Sequence, residues 1–294
     1  STLIGNIKKP FFVWAHFMDV HSPYNPPKKN VIEFRNQDFS ISEREFLTSK
    51  VYSHSHKFII SEKMVDDLKF LYDGEIHFLD EFLAKLLNLI YKKFNDDCLV
   101  IIVADHGESF YEHGIFGHQG SVYEEVLKIP LIIAEIGKNN SLNHVQDTVQ
   151  LIDIAPTILE YFDLDIPRNF QGKSLLATIK GEPIDREDLV ISECYQKNYS
   201  MKRNQREGYI LLSIRKNNEW KYIYSEEKEE EFIFNLINDP NEKTNLSGKK
   251  KLLLQEFREI KEKHIQKRNE STKEKSKIIN AILKLDLKKL EKTE

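Results

Sequence analysis

The sequence predicts an α/β chain: a mostly parallel sheet flanked by helices, followed by a small C-terminal antiparallel sheet and a helical tail. Three observations carry this. Cys98-Leu99-Val100-Ile101-Ile102-Val103-Ala104 is an unbroken apolar run of strand length, as expected for a central strand covered on both faces. Before it, Met64, Val65, Leu68, Leu71, Ile76, Leu79, Leu83, Leu86 and Ile90 recur three and four residues apart, the spacing of one helix face. After about residue 205 the pattern turns to short apolar or alternating runs linked by polar turns.

The elements follow in order. Phe11 to Phe17, after Pro10, reads as a buried strand, broken by the Pro-rich loop Asp19 to Pro27. Residues 28–60 are polar and irregular, with short helices expected. Residues 62–94 read as one long helix, or two with a break near Gly74, ended by Asn95-Asp96-Asp97. The run at 98–104 leads into a loop, Asp105 to Gly120, that carries three histidines. A short helical turn (123–128), the strand Leu131–Ala134 and a helix capped by Asp153 with Pro156 in its first turn come next. Leu189 to Ser192 reads as one more strand. Strand, helix, strand, helix, strand is the pattern of a parallel α/β sheet. Residues 209–214, 220–224 and 231–235 then form the small antiparallel sheet, and Leu252 to Ile265 an amphipathic helix. The expected division is 1–204 for the α/β part, 205–248 for the small sheet and 249–294 for a basic helical tail.

Composition narrows the function classes. Hydrophobic residues at 40% and charged residues at 31% allow a packed core under a wet surface. A net charge of −4 argues against a general nucleic-acid binder. The charge is uneven: from Lys249 onward 15 Lys and Arg stand against 8 Asp and Glu. That tail reads as a solvated helix face, with contact to a membrane surface as the sharper alternative. Cys98 and Cys194 cannot build a disulfide framework, and neither sits in a metal-binding spacing. No stretch reaches the ~20 apolar residues of a membrane helix. The chain starts with Ser1, directly before a strand, so a fragment or processed product is expected.

Five of the ten histidines fall in two segments, His16 and His21 in the first, His106, His113 and His118 in the second. Each segment follows an apolar run, and loops at strand ends build the sites of parallel α/β sheets. Asp105-His106 offers a carboxylate and an imidazole to a divalent ion, though such a pair taken alone more often serves capping and loop hydrogen bonds. Glu108 is expected to cap loop backbone amides. His118, between Gly117 and Gly120, could hydrogen-bond an oxyanion, and His21 could protonate a departing oxygen. His16 reads either as a strand histidine or as a substrate contact. His113 is expected to order the loop; His54, His56, His77, His144 and His264 lack supporting context.

Together these residues resemble the sulfatase family of the alkaline phosphatase superfamily. Phe11-Phe12-Val13-Trp14-Ala15-His16-Phe17-Met18-Asp19-Val20-His21-Ser22-Pro23-Tyr24 is similar to its first strand and loop. Asp105-His106-Gly107-Glu108 through Ile129-Pro130-Leu131 is similar to a second block, and Asp153-Ile154-Ala155-Pro156-Thr157 to a third. Phe232-Ile233-Phe234-Asn235-Leu236, Asp239-Pro240-Asn241-Glu242 and Asn245-Leu246 are similar to a closing element. The resemblance implies an alkaline phosphatase-like fold, here incomplete, and sulfuric ester hydrolysis. It makes Asp105 and His106 ligands of one divalent ion, calcium first, with magnesium, manganese or zinc as alternatives. His118 would contact the sulfate and ester oxygens, His16 the substrate, and His21 the leaving oxygen. The partner is a sulfate or phosphate ester, with a glycan as candidate alcohol, and no nucleic acid.

Two departures accompany this. Many sulfatases carry Asn where His106 stands, which keeps a phosphodiesterase, phosphotransferase or non-catalytic anion binder as alternatives. The C/S-x-P-x-R motif whose first residue becomes formylglycine is absent, and so is the upstream Asp pair. In the implied mechanism a formylglycine hydrate attacks sulfur while the metal and cationic side chains stabilise the oxyanion. This chain would then supply only the leaving-group and oxyanion side, and would be inactive alone.

Overall fold

The computed structural model describes residues 8, 10–35, 39–52, 57–94, 98–137, 144–182, 189–200 and 205–290. The chain divides into two compact units, Ser1–Arg186 and Glu187–Glu294. This division falls ahead of residue 205.

In the first unit, the stretch after the Pro-rich loop forms α1 (Lys28–Arg35), α2 (Ile41–Glu45) and a π-helical segment (Phe46–Val51). Ser40 caps α2 through a reciprocal pairing with Glu43. The helical periodicity gives a single helix, α3 (Glu62–Lys93), with Ser61 accepting from the Met64 amide at its start. Gly74 does not break it. A Cβ there would lie 2.9 Å from Pro26 Cγ, so the glycine lets the Pro-rich loop lie against the helix. Tyr24, Val31, Leu47, Val51, Leu68, Leu71, Phe110 and Phe116 form the core beneath that loop. Asn95-Asp96-Asp97 and His54 and His56 lie outside the described residues.

Two strand expectations change. Phe11 to Phe17 forms no strand, and Phe12 and Trp14 are 66% and 79% exposed. An apolar run becomes a strand only beside a partner edge, and among the described residues none runs next to it. Phe11 instead rests on Phe94 and Phe17 on Phe82, with ring centroids 4.6 and 5.6 Å apart. The run at 98–103 is a strand, β1 (Cys98–Val103), but it is only half buried, and Val103 is exposed. It pairs antiparallel with β4 (Leu131–Ile136), in register Cys98 to Ile136 and Val103 to Leu131. A parallel return needs a crossover, usually a full helix. The link between them holds only the hairpin β2 (Ser109–Phe110) and β3 (Phe116–Gly117) and the four-residue α4 (Glu124–Leu127). Beyond β4, a 3₁₀ turn (Leu151–Asp153) leads into α5 (Ile154–Tyr161), followed by α6 (Leu176–Ile179). Asp153 does not cap α5 with its side chain; its carboxylate accepts from the Gln150 and Lys173 amides, at 2.8 and 2.9 Å.

The second unit is an antiparallel four-stranded sheet in the order β5 (Leu189–Ser200), β6 (Gln205–Lys216), β7 (Trp220–Ser225), β8 (Glu230–Asn235). The Leu189 strand therefore belongs here and not to the α/β part. Its register against β6, Leu189 to Lys216, places Ile191 opposite Ile214, so both apolar side chains fall on one face. That face, with Leu212, Tyr222 and Ile233, buries Leu254 and Phe257 of α7 (Lys251–Leu290). No helix among the described residues is long and apolar enough to cross a membrane.

Candidate active site

Backbone geometry brings the two histidine segments together. The hairpin register sets Ser109 opposite Gly117, so Glu108 and His118 are the next facing pair. Gly107 permits a close approach: a Cβ there would fall 2.2 Å from the Glu125 carbonyl oxygen, and its amide donates to the Val126 carbonyl at 2.7 Å. Gly117 holds φ +85°, and a Cβ there would fall 2.7 Å from the Tyr52 hydroxyl.

On this frame the His118 ring stacks on the His106 ring, centroids 3.8 Å apart, and meets the His21 ring edge-on at 5.8 Å. Asp105 Oδ1 lies 3.7 Å from His106 Nε2. Four of the five site residues expected from the sequence thus come together: Asp105, His106, His118 and His21. His16 does not join them. It is exposed on the irregular stretch, and no ring contact or hydrogen bond in the described residues links it to the cluster. His113 orders the loop as expected, with Nδ1 2.8 Å from Glu125 Oε1 and its ring flat on Tyr123 at 3.6 Å.

Hydrogen bonds fix two tautomers. His106 Nδ1 contacts the Gly107 carbonyl at 2.8 Å and His21 Nδ1 the Ser22 carbonyl at 2.6 Å. A carbonyl only accepts, so both Nδ1 atoms carry the proton and each Nε2 is left as the ring's second site. Val20, just before His21, sits at φ +72°, a conformation rare for a β-branched residue. Burial, reinforced by the neighbouring His106, pushes the His118 pKa below the usual histidine range.

The donor set suits half of a divalent-ion site. Asp105 presents an exposed carboxylate, and His106 an Nε2 on the ring edge not taken up by the Gly107 carbonyl. Among the described residues no third His, Cys, Asp or Glu completes a ligand group with them.

Glu108 does not cap backbone amides. Its carboxylate is nearly buried and accepts from two phenols, Tyr24 at Oε2 and Tyr52 at Oε1, both at 2.9 Å. Burial, then the Glu108 charge, raises the pKa of both phenols, that of Tyr52 to about 12 and that of Tyr24 further, so both remain donors. Sequence reading missed this clamp. Tyr24 stands in the His-Ser-Pro-Tyr segment, but Tyr52 has no local signal, and only the fold brings it to Glu108. An apolar groove between α3 and the β1/β4 pair, lined by Leu87, Tyr91, Val100 and Ile132, contains none of these residues.

The α/β arrangement is that of the alkaline phosphatase-like fold. A phosphonate monoester hydrolase of Agrobacterium radiobacter superposes over 89% of this chain and 57% of its own, with a TM-score of 0.70 at 18% identity. A 2-O GAG sulfatase superposes over 89% and 53%, with a TM-score of 0.63 at 20% identity. Residues 2–164 match the sulfatase family, and residues 111–272 match the N-sulphoglucosamine sulphohydrolase C-terminal family. The chain belongs to the sulfatase family. An arylsulfatase of Clostridium perfringens is 26% identical over 285 residues, 92% of this chain and 56% of that protein. The chain spans about half the length of the relatives it matches.

Proposed function

We propose that this chain provides the metal and leaving-group side of a sulfuric ester hydrolase site whose nucleophile lies in another segment. The observation that supports this is the convergence of His21, His106 and His118 beside Asp105. Asp105 and His106 would hold the divalent ion, calcium being the first expectation. When bound, such an ion supplies positive charge to a sulfuryl oxygen. His118 lies between this pair and His21, so it meets the oxygens of the ester group. His21, acting as the imidazolium with Nδ1–H held on the Ser22 carbonyl, gives its Nε2 proton to the ester oxygen as the S–O bond breaks, and the alcohol departs neutral. His16 would contact the substrate further out. The substrate class is a sulfate ester, with a glycan as the alcohol.

No C/S-x-P-x-R motif occurs in residues 1–294, so on this reading the nucleophile comes from another segment. Purified residues 1–294 should therefore not turn over 4-nitrophenyl sulfate with calcium present, and turnover would refute the assignment. In a protein that joins this chain to a nucleophile segment, His21→Ala should lower kcat by about 10²–10⁴-fold. An effect below threefold would remove His21 from the chemistry.

A phosphoryl-transfer reading is favoured by one observation, His106 directly after Asp105 where many sulfatases carry Asn. The ratio of turnover on 4-nitrophenyl sulfate to that on a phenyl phosphonate monoester separates the two readings.

A further inference from the structure

Glu108 has a capacity that the clamp does not exhaust. Each of its oxygens accepts one phenol, and an ionised carboxylate has about four lone-pair positions. The next polar atom is His118 Nδ1, 4.0 Å from Oε1. That nitrogen is buried and has no hydrogen-bond partner. A buried polar atom left unpaired is costly, and the acceptor facing it across the hairpin is this carboxylate. Hydrogen bonds within catalytic groups are often long in the absence of substrate and tighten when it binds.

We propose that Glu108 is the positioning residue for His118, with the phenols of Tyr24 and Tyr52 holding its carboxylate so that it fixes Nδ1 as the protonated ring nitrogen. Nε2 is then the atom His118 offers to the substrate. It takes a proton from a hydroxyl or, already carrying one, donates to an ester or sulfuryl oxygen. The clamp also joins the two loops, since Tyr24 follows His21 by three residues and Glu108 follows His106 by two. Gly117 is part of the same device, because any side chain there would strike the Tyr52 hydroxyl. This inference rests on placing His118 in the active site, as proposed above.

The test reads the tautomer and needs no activity. The chain, labelled with ¹⁵N-histidine, is examined by long-range ¹H–¹⁵N correlation at pH 8, and the His118 signals are assigned by their loss in His118→Asn. The expected result is a single Nδ1–H tautomer with widely separated ring-nitrogen shifts. In Glu108→Gln, whose amide offers a donor as well as an acceptor, the two shifts should move toward each other as tautomers mix. In Tyr24→Phe, which keeps the carboxylate, the Nδ1–H form should persist. An Nε2–H tautomer in the unsubstituted chain, or His118 shifts unchanged in Glu108→Gln, would overturn the proposal. If Glu108→Gln does not fold, the tautomer of the unsubstituted chain still decides. Failure of the sulfatase reading alone would appear as absent ester turnover in the joined protein with the Nδ1–H tautomer intact.

Discussion

Lys221→Met should destabilise the second unit strongly, because this lysine is fully buried in the sheet. Lys221 lies in β7 and its ammonium sits 2.8 Å from Glu242 Oε1, both side chains at 0% exposure. Removing one member leaves a carboxylate in the interior without its counter-charge, which costs about 3–5 kcal/mol. Glu242 also holds φ +52°, a conformation unfavourable for a side chain with a Cβ, so the pair helps to keep that turn in place. At a urea slope of about 2 kcal/mol/M the midpoint should fall by about 1.5–2.5 M. The assay is urea unfolding followed by Trp220 fluorescence in a Trp14→Phe background, since these are the two tryptophans and Trp14 is exposed in the other unit. The double variant Lys221→Met/Glu242→Met removes both charges and should recover most of the loss, because an apolar pair of similar volume often matches a buried ion pair. A single-variant loss below about 1 kcal/mol would refute the reasoning, as would a double variant whose loss equals the sum of the singles.

Other expectations follow the same logic. Gly107→Ala and Gly172→Ala each drive a Cβ into backbone, 2.2 Å from the Glu125 oxygen and 1.9 Å from the Ile152 oxygen. Each should cost the first unit about 1–3 kcal/mol or more by thermal unfolding, whereas Gly181→Ala, with open space around it, should suffer only from its positive φ. Hydrogen bonds from Arg258 hold the Glu231 carboxyl below its ordinary 4.5. Its contribution to stability is therefore complete above pH 4.5 and is lost as pH falls through the lowered folded value. Arg258→Met should weaken that pH dependence, measured as the midpoint of unfolding between pH 3 and 6, while the Tyr222 hydroxyl keeps part of it. The Tyr52 phenol, raised from 10.0 to about 12, contributes stability below pH 10 that is lost as pH rises through about 12. Ultraviolet titration of the folded chain and of folded Tyr52→Phe should therefore differ by one phenol ionising near pH 12 and by none near pH 10.

Much of the fold was legible in the sequence because the signals were local. The 3.6-residue repeat of Met64 to Ile90 specifies α3 whatever surrounds it, and the polar turn Lys216-Asn217-Asn218-Glu219 specifies the hairpin between β6 and β7. The loop residues Asp105, His106, His118 and His21 were legible as candidates because each stands in a loop after an apolar run, although Asp105-His106 alone also reads as a loop hydrogen-bonding pair. What the sequence could not decide was pairing. Phe11 to Phe17 has a strand's composition, but a strand exists only where another edge supplies its hydrogen bonds. Leu189 to Ser192 reads equally well as part of either sheet, and only its register with β6 assigns it to the second unit.

The sequence by itself determined the long helix, the family blocks and the histidine-rich loops, since each depends on residues close together in the chain. Tertiary structure alone decided that Tyr24, Tyr52 and Glu108, separated by 84 and 56 residues, meet at one buried carboxylate, and that Lys221 faces Glu242. The physical reason is that a buried charge is tolerated only where distant groups satisfy it, and no local pattern records which distant groups the folded chain will bring.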